Sequence, residues 1–193
     1  MNTEQILKKL ISFKSISEQE NMTLLNYVSN YLGKFNISAE IINRYQNRAN
    51  LYCRIGPNTT GGLMLSGHTD VVPVANQKWK TNPFELHKQG KKYFGRGTAD
   101  MKSFVAIVLS LVPKIISMNL KKPVHIMLSY DEEIGCVGIQ KAVPFLKSMK
   151  KKPSYCIVGE PTEMKVITEH KGKKNFIVTF NGIESHSSQI DKG

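Results

Sequence analysis

Residues able to bind metal or move protons stand just after three apolar runs. Leu63-Met64-Leu65-Ser66-Gly67 leads into His68, Thr69 and Asp70. Ile126-Met127-Leu128-Ser129-Tyr130 leads into Asp131, Glu132 and Glu133, and Cys156-Ile157-Val158-Gly159 into Glu160. A further acid, Asp100, follows Gly95-Arg96-Gly97-Thr98-Ala99 at the start of an expected helix. Ligands of α/β sheets bind beyond the carboxyl ends of the strands, so three strands would deliver acids and an imidazole to one edge. Buried carboxylates repel and neutralise unless a cation joins them, and a pair of divalent metals is the simplest resolution. One histidine among carboxylates is a donor set that suits Zn²⁺, Co²⁺ or Mn²⁺. In His68-x-Asp70 the carboxylate two residues on can orient the imidazole. Glu132 and Glu133 diverge past a strand end, so one can bind metal while the other serves as general base. Each element alone is common by chance, with helix caps and surface charges as the plain alternative; the weight lies in their combination at three strand ends.

The elements that must position these groups are legible as periodicities. Residues 3–14 and 20–33 carry apolar positions at helical spacing (Ile6, Leu7, Leu10, Ile11; Leu24, Leu25, Val28, Tyr31, Leu32). Short β-like runs follow at 39–42, 50–55 and 63–66, separated by turn residues such as Gly56-Pro57-Asn58 and Gly61-Gly62. A long helix is expected over 100–116, which Pro113 would kink or shorten. Residues 124–130 and 155–158 read as buried strands, 138–149 as a helix, and 166–168 and 175–180 as further strands. Strands that alternate with helices and are apolar on both faces imply a sheet covered on two sides. The expected fold is α/β, a three-layer mixed sheet between helices.

Composition bounds the rest. Over 193 residues, 40% hydrophobic and 22% charged is ordinary for a globular protein. No apolar run approaches the ~20 residues of a membrane span. Glu4, Lys8 and Lys9 make the first ten residues read as a helix rather than a signal peptide, so cytoplasmic location is expected and membrane association is not. The net charge of +12 comes from dispersed lysines, dense only at 147–152, with no aromatic-rich basic motif; nucleic acid is not an expected partner. Cys53, Cys136 and Cys156 lack metal-finger spacing and are expected to be reduced, packed thiols. His87 and His125 are expected to be structural or solvent-facing. There is no GxSxG elbow and no GxxxxGK[ST], and Gly95-x-Gly97 lacks the rest of a GxGxxG.

Four linked stretches, Ser66 to Pro73, Gly95 to Lys102, Asp131 to Glu133 and Gly159 to Thr162, together resemble the co-catalytic zinc amidohydrolase and exopeptidase family. The resemblance implies two zinc ions, with cobalt as an alternative. His68 and Glu160 would bind one and Glu133 the other, with Asp100 bridging both. It implies that Asp70 orients His68 and that Glu132 is general base and acid. It implies a catalytic domain over 1–173 and, over 174–193, the start of an α+β lid and dimerisation domain, of which 175–180 would be the first strand. His186 would reach the partner subunit's site in a full-length homodimer and stabilise the oxyanion. Within the family, Glu169-His170-Lys171-Gly172 and His186-Ser187-Ser188 resemble the acetylornithine deacetylase branch. The implied substrate is a small N-acyl amino acid, N-acetyl-ornithine, cleaved in arginine biosynthesis; a desuccinylase or dipeptidase specificity is the alternative. Such chains continue through the lid to a last metal-binding histidine, for which His170 is no obvious substitute, so a chain ending at Gly193 would be an inactive fragment on the competing reading.

Overall fold

A computed structural model describes residues 1–192 except 170, 173, 175 and 180; of Ile190 only the backbone is described. The chain divides into two compact units, Met1–Pro161 and Thr162–Gly193.

The first unit begins with two amphipathic helices, α1 (Thr3–Ser12) and α2 (Met22–Gly33). Asn2 and Gln5 close a reciprocal cap on α1, which satisfies amide groups that a helix start leaves unpaired. The strands β1 (Ala39–Tyr45) and β2 (Arg48–Ile55) form an antiparallel pair. Then come β3 (Leu63–His68), a small separate hairpin of β4 (His87–Gln89) and β5 (Lys92–Phe94), and helix α3 (Lys102–Ser117). Strand β6 (Val124–Ser129), helix α4 (Val137–Ser148) and strand β7 (Tyr155–Val158) complete it.

The main sheet runs β1-β2-β6-β3-β7, antiparallel at β1–β2 and β2–β6 and parallel at β6–β3 and β3–β7. Alternation decides which face each residue serves. Leu51, Cys53, Ile55, Ile126 and Leu128 join the buried faces of α1, α2 and α3 in the larger core. Tyr52 and Met127 turn the other way and pack with Ala142, Ile139 and Phe145 of α4. The architecture is thus the expected three layers. Among the described residues no helix is long and apolar enough to cross a membrane.

Several local expectations are corrected. Pro113 does not shorten α3, which runs on to Ser117. The carbonyl of Leu109, which a proline at 113 cannot satisfy, accepts instead from the Tyr31 hydroxyl at 3.1 Å. Strand β7 is not buried: it lies at the sheet edge, and Tyr155, Cys156, Ile157 and Val158 are all exposed. Cys156 is therefore an exposed thiol rather than a packed one, while Cys53 is buried and all three cysteines are free.

In the second unit residues 166–168 and 176–179 form no strand; positions 175 and 180, the ends of the expected lid strand, lie outside the described residues, as does His170. A strand exists only where a neighbour completes its hydrogen bonds, and none of the described residues does so here. Among the described residues of this unit the regular structure is one 3₁₀ turn, Ile190–Lys192.

Candidate metal centre

His68 is the last residue of β3, Asp131-Glu132-Glu133 follow β6, and Glu160 follows β7, all at the carboxyl edge of the parallel strands. Asp100 stands two residues before α3, in a turn rather than in the helix. The four carboxylates expected to work with His68 gather round it. Its Nε2 lies 2.9 Å from Asp100 Oδ1 and 3.8 Å from both Glu132 Oε2 and Glu160 Oε1. The donor atoms of His68, Glu132 and Glu160 fall within 4.8 Å of one another, and so do those of His68, Asp100 and Glu133. His68 is fully buried, whereas Asp100, Glu132 and Glu160 keep part of their surface exposed; Asp100 and Glu133 line a cleft with Val72 and residues 95–99.

Asp70 is the hub beneath this cluster. His68 Nδ1 is 2.9 Å from the Asp70 main-chain oxygen and 3.5 Å from its carboxylate. The carboxylate also accepts from the amides of Glu132 (3.0 Å) and Glu133 (3.3 Å) and from the Ser17 hydroxyl (2.8 Å). One buried side chain thereby ties the histidine to the backbone that carries both glutamates. The segment after α1 grips the same loop: Ser15 donates to the Thr69 carbonyl at 2.6 Å, and Asn21 to the Thr69 hydroxyl at 3.0 Å. Two glycines are dictated by close approach. At Gly97, with φ +88°, a Cβ would meet Val71 at 2.9 Å. At Gly159 a Cβ would fall 2.0 Å from the Phe104 ring, so the residue before Glu160 sits flat on α3.

The electrostatics bear the mark of crowded charge. Burial would lower the pKa of His68, but Asp70, Asp100 and Glu160 outweigh it and hold the imidazole at about 10. Burial, aided by Asp100 and Glu132 and opposed by His68, pushes Glu160 up to about 7. Glu133 is raised as well, by burial first and then by the charge of Asp100. For Asp70 burial acts upward, yet its bonds to His68, the Glu132 amide and Ser17 win and its pKa is lowered. Acids driven toward protonation beside an imidazole driven toward charge make a set whose repulsion a divalent cation would relieve. The donors therefore fit a divalent metal of the Zn²⁺, Co²⁺ or Mn²⁺ type.

Sequence reasoning missed two contacts, one of which reaches the cluster. Cys136 donates its thiol to Glu132 Oε1 at 3.3 Å, and its position four residues after Glu132 was the available signal. Lys102 is buried, with Nζ donating to the carbonyls of Leu10 (3.1 Å) and Phe13 (2.8 Å) at the end of α1; nothing in the sequence pointed to that. His125 is structural as expected, buried against the Tyr52 hydroxyl at 2.7 Å, and His87 is exposed. His186 belongs to the second unit, where it is exposed with Nδ1 2.8 Å from the Ser188 hydroxyl.

One imidazole ringed by carboxylates thus stands at the carboxyl edge of a mixed sheet between helices, a donor set suited to a divalent metal. Residues 64–184 match the model of peptidase family M20/M25/M40, and the chain belongs to that family. It is 33% identical over 199 residues to an acetylornithine deacetylase of Buchnera aphidicola, covering 98% of this chain and 50% of that protein. It is 34% identical over 197 residues to an acetylornithine deacetylase of Pectobacterium carotovorum, with the same coverage. The chain thus spans about half the length of the curated relatives it matches. In fold it is similar to an M20 family metallo-carboxypeptidase from Sulfolobus solfataricus (TM-score 0.71, 23% identity, 82% of this chain and 37% of that one). It is likewise similar to human carnosine dipeptidase 1 (TM-score 0.69, 20% identity, 81% and 38%).

Proposed function

We propose that this chain supplies the catalytic body of a hydrolase that removes the acetyl group from N-acetyl-ornithine. The observation that carries the reading is the convergence of Asp100, Glu132 and Glu160 on His68 Nε2. The likeness to acetylornithine deacetylases along nearly all of this chain supports the choice of substrate. His68, Asp100, Glu133 and Glu160 would hold zinc, two ions in the complete protein. A divalent cation bound there supplies Lewis-acid polarisation of the amide carbonyl and eases ionisation of water.

The chain's own residues do the rest. Asp70 keeps the His68 ring oriented and the Glu132-Glu133 backbone in register with it. Glu132, with one oxygen held by Cys136 and the other facing the cluster, is placed to take a proton from the attacking water and return it to the leaving amine. The role of His186 at the oxyanion of a partner subunit rests on its motif.

The test is hydrolysis of N-acetyl-ornithine, N-succinyl-diaminopimelate and a dipeptide, with zinc and after chelation. It is run on the 193-residue chain and on the longest polypeptide its reading frame encodes. Chelator-sensitive release of acetate by the longer polypeptide, preferred over the other two reactions, is the expected result, with little turnover by the 193-residue chain alone. A preference for the succinyl or peptide substrate would overturn the substrate, and a zinc-loaded longer polypeptide inert toward all three would overturn the activity.

A further inference from the structure

The Glu132-Glu133 segment is clamped from two sides, and only one clamp belongs to the cluster itself. On one side the amides of both residues bond to Asp70. On the other stands Asp131, buried, with φ +52°, turning the chain sharply out of β6. Its Oδ1 accepts from the Glu18 amide at 2.8 Å, and its Oδ2 pairs with the Arg48 guanidinium. The register of β2 on β6 explains the meeting: Leu51 faces Leu128, and the antiparallel ladder carried on places Arg48 opposite Asp131. The two side chains are 12% and 3% exposed, and the guanidinium lies 5.3 Å from the Tyr45 ring and 5.9 Å from the Tyr130 ring.

We propose that Arg48 is a positioning residue, acting through Asp131 to hold Glu132 and Glu133 on the metal cluster. This rests on the functional reading above for the roles of the two glutamates. Rotation about the Asp131 backbone would swing both glutamates together. Asp70 opposes that rotation through the amides beyond Asp131, and the Val137 amide holds the Asp131 carbonyl at 3.0 Å. Arg48 and the Glu18 amide add the hold on the Asp131 side chain. Arg48 also neutralises a buried carboxylate one residue from the base. An unpaired Asp131 would add another negative charge to a site already crowded with them. Arginine suits the task, because its planar fork can hold a carboxylate while its face packs on aromatic rings.

The test compares the parent with Arg48→Lys and with Arg48→Met/Asp131→Asn, which removes both charges of the pair together. Thermal unfolding reports folding, and competition with a chromogenic chelator reports zinc affinity on the 193-residue chain. kcat and KM for N-acetyl-ornithine are read on the longest polypeptide of the reading frame. Arg48→Lys keeps the charge but loses the fork and the ring packing, and is expected to fall between the parent and the double variant. The double variant is expected to loosen zinc and lower kcat by ~10–100-fold with little change in KM, the range typical for partners of metal ligands. A double variant that melts lower yet binds zinc and turns over like the parent would show a merely structural tie and overturn the proposal. Should it not fold, Asp131→Asn alone keeps an oxygen for the Glu18 amide, and the same outcomes apply. If the parent binds zinc but hydrolyses no N-acyl amino acid, the functional reading falls, and the zinc affinities still decide for or against Arg48. A parent that binds no zinc overturns both.

Discussion

Gly159→Ala is the smallest change that should move a metal ligand without touching one. The added Cβ would lie 2.0, 2.1 and 2.4 Å from three atoms of the Phe104 ring, where ordinary contact begins at 3.4 Å. Ring and strand end must therefore separate by more than 1 Å. Phe104 is rooted in the first turn of α3 and packs against the larger core, which limits its retreat. The Gly159 amide is bonded to the Ser66 carbonyl at 3.2 Å, so the strand end resists as well. Overpacking of this kind costs about 1–3 kcal/mol, and part of the displacement passes to Glu160. Urea unfolding of parent and variant measures the first effect, and chelator competition for zinc measures the second. Phe104→Leu combined with Gly159→Ala should recover part of both losses, a non-additivity expected only of groups in contact. If Gly159→Ala stays within about 0.5 kcal/mol of the parent, the range of an uninvolved surface change, and holds zinc equally well, the packing argument is refuted.

Glu132→Gln should keep zinc and lose turnover by ~10²–10⁴-fold, whereas Glu133→Gln should weaken zinc binding; equal zinc loss from both would overturn their division of labour. The two candidate ligand groups share His68, so the described residues offer one three-ligand site at a time. Residues 1–193 alone should therefore bind one zinc per chain and hydrolyse little N-acetyl-ornithine, and two tightly held ions by metal analysis would contradict this. Metal-free protein should lose stability with rising pH. Glu160, raised by burial and neighbouring acids, contributes fully below 4.5 and loses that contribution as pH passes about 7. His68, raised despite its burial, contributes below 6.5 and loses it as pH passes about 10. Zinc should act in the opposite sense, displacing those protons, so the zinc-induced rise in melting temperature should grow with pH. A metal-free chain more stable in mild alkali than in mild acid would count against this.

Much of the site was legible before any coordinates. A residue just past a strand is assigned to the sheet edge by its chain position, and His68, Glu132, Glu133 and Glu160 needed only the apolar runs before them. Helices α1, α2 and α3 and the cores of the strands were equally readable, because burial on one face imposes a period on sequence. What the chain order could not say is which strands are neighbours. That depends on pairing across long separations, and it brought Arg48 to Asp131, 83 residues away, and the end of α1 to Lys102. Nor could it say that Asp70 would bind the amides of Glu132 and Glu133, since a side chain's partners follow from tertiary packing. The exposure of β7 escaped for the same reason: Cys156-Ile157-Val158 is apolar enough for a core, but burial belongs to whatever lies beside a strand, and only the fold placed this one at the edge.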